Sequence, residues 1–172
     1  KRKSIIIPNV SSEVNEIKKN YKEKNIIMIG SLISLKNHKF VINNFKKILE
    51  KFPKWKLTII GDGPLKKNLK SLVKKNKLVK NIFLIGNKKN IFQYFRKASI
   101  FLLSSISEGM NLSLIEAIKF GLPVISSECS VSHKKLIIQN HNGFVYKQNS
   151  TKNFIKYLSI LINFEKKKKK VW

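Results

Sequence analysis

Residues 100–125 read IFLLSSISEGMNLSLIEAIKFGLPVI, and the succession of apolar and polar residues within them decides the fold. Ile100-Phe101-Leu102-Leu103 is a continuous apolar run, the mark of a strand buried on both faces. A polar loop carrying Glu108 and Gly109 follows, then a helix on which Leu112, Ile115 and Ile118 recur at helical spacing. Leu122-Pro123-Val124-Ile125 reads as the next strand. Strand, helix and strand in that order form a crossover, and crossovers join parallel neighbours. Within residues 104–121 a strand runs into a Gly turn and a helix start, which suits a phosphate. Glu108 and Glu116 bracket that turn and would repel phosphate. As pure acceptors they are better aimed at hydroxyl donors, such as those of a sugar.

The same alternation extends in both directions. Ile26-Ile27-Met28-Ile29 is an apolar run closed by Gly30, and a polar loop leads to a helix carrying Val41, Phe45, Ile48, Leu49 and Phe52. Pro53 ends that helix. Leu57-Thr58-Ile59-Ile60 is a strand that stops at Gly61-Asp62-Gly63-Pro64, and Pro64 suits the first turn of a helix carrying Leu65, Leu69, Leu72 and Val73. Ile82-Phe83-Leu84-Ile85 ends at Gly86, before a short helix with Ile91, Phe92 and Phe95 facing inward. Beyond the opening stretch come a short helix with Leu136 and Ile137, a strand Gly143-Phe144-Val145-Tyr146, and a last helix. That helix is capped by Ser150 or Thr151 and presents Phe154, Leu158, Leu161 and Ile162 on one face. These alternations predict an α/β domain, a Rossmann-like doubly wound parallel sheet of about six strands. The domain is expected over residues 25–165. Residues 1–24, with the β-type run Ile5-Ile6-Ile7 before Pro8 and Asn9, read as a linker and flanking helix. Residues 166–172 read as a basic tail.

Composition narrows the function classes. At 172 residues and 42% hydrophobic, the chain fits one globular domain with a sizeable core. The formal charge is +27, yet Arg2 and Arg96 are the only arginines among 36 basic residues. Lysine lacks the planar fork that reads phosphate and guanine, so nucleic acid is a disfavoured partner. Two readings of the charge stand: a solvated lysine surface left by compositional drift, and attraction to an anionic membrane surface or ligand. Cys129 is the sole cysteine, which excludes an intrachain disulfide and a cysteine zinc cluster. No stretch approaches the roughly 20 apolar residues of a membrane span, and the start of the chain is too short in apolar residues for a signal peptide. Without an initiator Met, the chain reads as a piece of something longer.

In a doubly wound sheet, ligands bind beyond the carboxyl ends of the strands. Four loops there are built for close backbone approach: Gly30-Ser31, Gly61-Asp62-Gly63, Gly86-Asn87 and Ser107-Glu108-Gly109. The chain has only nine acidic residues, and Asp62, Glu108 and Glu116 fall in or beside these loops. Gly61-Asp62-Gly63 lacks the third glycine of a dinucleotide fingerprint, since Lys66 stands there, and no Walker motif occurs. A G-x-S-x-G nucleophile elbow is also absent. Gly61-Asp62-Gly63-Pro64 is equally a plain tight turn, Lys36 is one lysine among many, and His38, His133 and His141 show no ligand spacing. No metal site is expected.

Taken in order, IIMIGSLISLKNH, WKLTIIGDGPLKKNL, NIFLIGN, IFLLSSISEGMNLSLIEAIKFGLPVISSE and NGFVY resemble the C-terminal, donor-binding half of family-4 retaining glycosyltransferases of the GT-B fold. Glu108 and Glu116 match the family's E-x7-E motif, residues 121–125 its G-x-P-V-I segment, and residues 61–64 its G-D/E-G-P turn. Ile7-Pro8-Asn9 resembles the segment linking the two halves. The resemblance implies transfer of a sugar from a nucleotide diphosphate sugar, with retained configuration and no metal or other cofactor. It implies Glu116 on the ribose hydroxyls and Glu108 on the donor sugar. Backbone N–H groups of Gly109, Met110, Asn111 and Leu112 would meet sugar and phosphate, Lys36 the diphosphate, and Gly86 the base. Gly30, Ser31, Gly61 and Asp62 complete the expected donor site, with Glu108 and Lys36 as its catalytic pair. Expected partners are the nucleotide sugar, a glycan or lipid-linked acceptor, and an N-terminal acceptor-binding domain outside this chain. A cytoplasmic or peripheral inner-membrane location would follow. Two departures stand out: Ser31 replaces the family's arginine in G-R-L, and Ser130-Val131-Ser132-His133-Lys134-Lys135 replaces a Gly/Pro-rich turn and a Glu. Two other expectations follow from these features: a non-catalytic nucleotide-sugar-binding subunit or degenerate fragment, and, from charge alone, a basic nucleic-acid-binding domain.

Overall fold

A computed structural model describes residues 23–166. The run Ile5-Ile6-Ile7, the linker up to residue 22 and the basic tail from residue 167 lie outside the described residues. The elements follow in strict alternation: β1 Asn25–Ile29, α1 His38–Lys51, β2 Lys56–Ile60, α2 Lys66–Lys75, β3 Ile82–Leu84, α3 Phe92–Lys97, β4 Ile100–Leu103, α4 Leu112–Lys119, β5 Val124–Ser127, α5 Val131–Leu136, β6 Gly143–Tyr146 and α6 Thr151–Lys166. A single 3-10 turn, Ser34–Lys36, precedes α1. All six strands run parallel in the order β3-β2-β1-β4-β5-β6, the doubly wound arrangement.

Burial on both faces follows from the strand sequences. Ile26 and Met28 of β1 join Ile100 and Leu102 of β4 in one core layer, under Val41, Ile42, Phe45 and Ile48 of α1 and Phe154, Leu158, Leu161 and Ile162 of α6. The alternate residues Ile27, Phe101 and Leu103 face the opposite layer, under Phe95, Leu114, Ala117 and Phe120. Each fully buried Leu or Ile contributes roughly 1.5–3 kcal/mol of transfer free energy, so the apolar strand runs specify the layers.

Three expectations need correction. Phe92, expected to face inward from the short helix after β3, is 37% exposed. On α4 the residues buried are Leu114 and Ala117, while Leu112 is 48% exposed and Ile115 and Ile118 are only partly covered. Small Ala117 lets the helix approach the sheet, so the packing face is not the one with the largest side chains. The fifth strand is Val124–Ser127 rather than residues 122–125. Pro123 has no N–H to give a ladder, and its carbonyl accepts from Phe101 N at 3.0 Å. Ser126 and Ser127 extend the strand because both hydroxyls are bonded inside, Ser126 Oγ to Ser127 O at 2.9 Å and Ser127 Oγ to Ser105 O at 2.6 Å.

The sheet opens where the chain reverses direction. β1 and β2 pair over five positions, whereas β1 and β4 pair only at Ile26–Ile100 and Ile27–Phe101. Their carboxyl ends therefore lack a ladder at the topological switch point, the place beyond which open α/β sheets bind ligands.

Candidate active site

The switch point is bordered by loops sewn to one another by backbone bonds. Gly30 N donates to Ile60 O at 3.0 Å, Leu32 N to Asp62 O at 2.8 Å, and Gly61 N to Gly86 O at 3.1 Å. A Cβ on Gly61 would stand 1.9 Å from the Gly30 carbonyl oxygen, and one on Gly63 would stand 2.8 Å from Leu32 N. No side chain fits there, so these two glycines let the loops after β1 and β2 lie against each other. From the other side, Ser104 Oγ donates to Lys36 O at 2.8 Å and Ile106 N to Leu35 O at 2.8 Å, tying the loop after β4 to the 3-10 turn.

This sewing brings Lys36 and Glu108 together across 72 residues of sequence. Lys36 Nζ lies 2.5 Å from Glu108 Oε1, with side chains 18% and 10% exposed. Ser105 Oγ donates to the same oxygen at 2.6 Å and Asn111 Nδ2 at 3.2 Å. Burial alone would raise the Glu108 carboxyl, but the bonds from Lys36 and Ser105, the Lys36 charge and the Asn111 bond outweigh it and hold it below the usual carboxylate range. Gly30 lies beneath, where a Cβ would stand 3.5 Å from the Lys36 stem.

Asn111 begins α4. Its side-chain oxygen accepts from Leu114 N at 3.0 Å, an N-cap that directs the free N–H groups of the first turn outward. Gly109 borders open space, with nothing within 4 Å of where a Cβ would stand. Its carbonyl accepts from Ser132 Oγ at 3.0 Å and Ser130 Oγ at 3.2 Å, so the substituted serine segment now supports the Gly109 turn. Glu116, one turn further along α4, is half-buried and no described residue bonds or pairs with its carboxylate. Burial alone pushes its carboxyl upward.

Of the remaining expected residues, Asp62 and Gly86 meet in a second cluster. Asp62 Oδ2 pairs with Lys66 Nζ at 2.5 Å, Asp62 Oδ1 accepts from Gly63 N at 2.8 Å, and a Cβ on Gly86 would stand 3.8 Å from both paired atoms. Ser31 is exposed on the loop after β1, and Met110 is partly covered. Sequence reasoning missed Ser105 and Lys66. Ser105 precedes Glu108 by three residues, the one signal that linked them.

Burial disfavours the charged form of both buried histidines. Burial, then the Lys36 charge, lowers His38 to about 4. His133 is fully buried behind the Glu108 loop, its Nδ1 at 3.1 Å from Ser126 Oγ and 3.2 Å from Cys129 Sγ, and burial lowers it too. A hollow of about 490 Å³ lies on the α2 side of the 3-10 turn, lined by Ser34, Asn37, His38, Leu65, Asn68 and Leu72, and it does not include the two glutamates.

The family described as "Glycosyl transferases group 1" matches residues 10–171. An uncharacterized glycosyltransferase of Haemophilus influenzae is 34% identical over 160 residues, covering 93% of this chain and 45% of that protein. The amylovoran biosynthesis glycosyltransferase AmsD of Erwinia amylovora is 29% identical over 148 residues, covering 86% and 41%. The chain thus spans less than half the length of these relatives. Among solved structures, TarM of S. aureus, crystallised with UDP, superposes with a TM-score of 0.84 at 21% identity, over 90% of this chain and 31% of that one. The C-terminal domain of LpcC, a group 1 glycosyl transferase from Francisella tularensis, superposes with a TM-score of 0.73 at 26% identity, over 81% and 75%. The chain belongs to the group 1 glycosyl transferase family and has the fold of the C-terminal domain of its GT-B members.

Proposed function

We propose that this chain is the donor-binding half of a family-4 retaining glycosyltransferase, taking a sugar from a nucleotide diphosphate sugar to a glycan or lipid-linked acceptor. One observation carries the reading most: at the switch point an ionised Glu108 held by Lys36 stands beside the α4 start, with Glu116, which has no partner among the described residues, one turn along. Glu116 takes the ribose hydroxyls and Glu108 a hydroxyl of the sugar, since carboxylates only accept. Gly109, Met110, Asn111 and Leu112 offer N–H groups to sugar and phosphate, and Gly30, Ser31, Gly61, Asp62 and Gly86 form the floor toward the base. Lys36 and the α4 start face the diphosphate and stabilise the departing nucleotide. A cation at about 4 Å contributes roughly 4 kcal/mol before desolvation at an effective dielectric near 20, against about 0.3–1 kcal/mol for a helix terminus. Lys36 therefore matters more than the helix dipole. The reading needs no metal or organic cofactor.

In this reading residues 25–165 are the donor domain, residues 1–24 lead from the acceptor half, and residues 166–172 are a basic tail. The names of relatives in amylovoran synthesis and in poly(glycerol-phosphate) glucosylation support a role in surface polysaccharide or lipopolysaccharide synthesis. No described helix is long and apolar enough to cross a membrane. A charge of +27 supports a peripheral, cytoplasmic enzyme that meets anionic lipid. A thermal-shift panel of UDP-, GDP- and ADP-sugars tests the donor assignment. One of them should raise the melting temperature, and Glu116→Ala should erase the rise. No response to any sugar nucleotide, or an undiminished response in Glu116→Ala, would overturn it.

A further inference from the structure

We propose that Ser105 and Asn111 are positioning residues that hold Glu108 by one carboxylate oxygen, so that it stays in place and ionised when Lys36 turns to a donor phosphate. The role of the donor rests on the reading above; the positioning itself does not.

Three donors converge on Glu108 Oε1: Lys36 Nζ at 2.5 Å, Ser105 Oγ at 2.6 Å and Asn111 Nδ2 at 3.2 Å. Oε2 lies outside these contacts, so the carboxylate presents one oxygen to a ligand and keeps the other fixed. A lysine that serves a diphosphate cannot also neutralise the carboxylate fully. With Lys36 as sole partner, a half-buried Glu108 would gain a proton or swing out as the donor arrived. Two neutral donors that do not depend on Lys36 remove that conflict.

Both are anchored elsewhere. Ser105 is fully buried and cannot touch a donor, so it acts only through Glu108. Its carbonyl accepts from Ser127 Oγ at 2.6 Å at the end of β5 and from Gln148 Nε2 at 3.4 Å after β6. Asn111 is 7% exposed and is fixed by its other side-chain atom, which caps α4. Glu108 is thereby tied to two strand ends and a helix start. The charged and titratable groups facing it are Lys36 before α1, Cys129 after β5, whose carbonyl accepts from Glu108 N at 3.4 Å, and His133 on α5.

The test is a side-chain carboxyl 13C titration of the full chain, whose eight glutamates are resolved by assigning Glu108 through Glu108→Gln. Ser105→Ala should raise the Glu108 midpoint by about one pH unit, the size expected for one hydrogen bond to a charged group. Asn111→Ser, which keeps a capping hydroxyl, should raise it by less, in keeping with its longer bond. Ser105→Thr should restore the wild-type midpoint. With UDP-glucose added, Glu108 of the wild type should stay ionised at neutral pH. Midpoints of Ser105→Ala and Asn111→Ser equal to wild type in the free protein would overturn the inference whatever the chain binds. If Ser105→Ala fails to fold, Asn111→Ser decides alone. A wild-type Glu108 that gains a proton on binding UDP-glucose would overturn its donor-bound part, while failure to bind any of the UDP-, GDP- and ADP-sugars would count against the donor assignment and leave the free-protein result to judge the positioning.

Discussion

Glu108 and Glu116 stand eight residues apart on one loop and helix, and their surroundings are opposite. Glu108 is held by a cation, a serine and an asparagine, and is kept ionised below the usual range. Glu116 has no described partner, and burial raises its carboxyl. A preorganised carboxylate needs little reorganisation when chemistry begins, whereas an unpartnered one is completed by its ligand. The contrast teaches that two acids the spacing treats alike sit in different surroundings, which supports the proposed division of Glu108 for the reacting end and Glu116 for binding.

The comparison breaks most visibly in affinity. Glu116→Ala should lower affinity for whichever nucleotide the thermal-shift panel selects by about 100-fold, the size of two charge-assisted hydrogen bonds, as read by calorimetry. Lys36→Ala should be the next largest. It leaves Glu108 half-buried with two neutral donors, and should destabilise the fold by about 1–2 kcal/mol, a fall of roughly 2–8 °C in Tm by calorimetric scan.

The pH dependence has opposite signs at the two acids. Glu116 has a folded pKa above its ordinary 4.5, so its ionisation disfavours the fold, and that cost sets in as pH rises through 4.5. Glu116→Gln should therefore be more stable than wild type at pH 7, with the gain vanishing below about pH 4. Glu108 has a depressed folded pKa, so its contribution is present above 4.5 and is lost as pH falls through the folded value. Glu108→Gln should be less stable than wild type at pH 7. Denaturant titrations at two pH values check both signs. The smallest effect belongs to Gly109→Ala, which meets open space and should change stability by less than about 0.5 kcal/mol while weakening donor binding.

The six strands were legible because each is an apolar run ending at a polar or glycine-bearing turn, and short connections left only crossover helices between them. The face of α4 was not. Leu112, Ile115 and Ile118 follow helical spacing as well as Leu114 and Ala117 do, and the choice depends on how closely the helix meets the sheet. The end of β5 was missed because Ser126 and Ser127 look like loop residues, and become strand only through partners such as Ser105 that sequence does not reveal. The acids of the site were visible as rare carboxylates among lysines. The Lys36–Glu108 contact was not, because it depends on how Gly30, Gly61 and Gly63 let loops from β1 and β2 pack.

The division of labour is tested most directly by titrating the nucleotide diphosphate and the sugar nucleotide selected by the thermal-shift panel (UDP and UDP-glucose if the UDP-sugar responds) separately into the wild type, Glu108→Gln and Glu116→Gln by calorimetry. Glu116→Gln should weaken both ligands alike, while Glu108→Gln should weaken the sugar nucleotide and spare the nucleotide diphosphate. Unchanged nucleotide diphosphate affinity in Glu116→Gln, or equal losses for the two ligands in Glu108→Gln, would contradict the account.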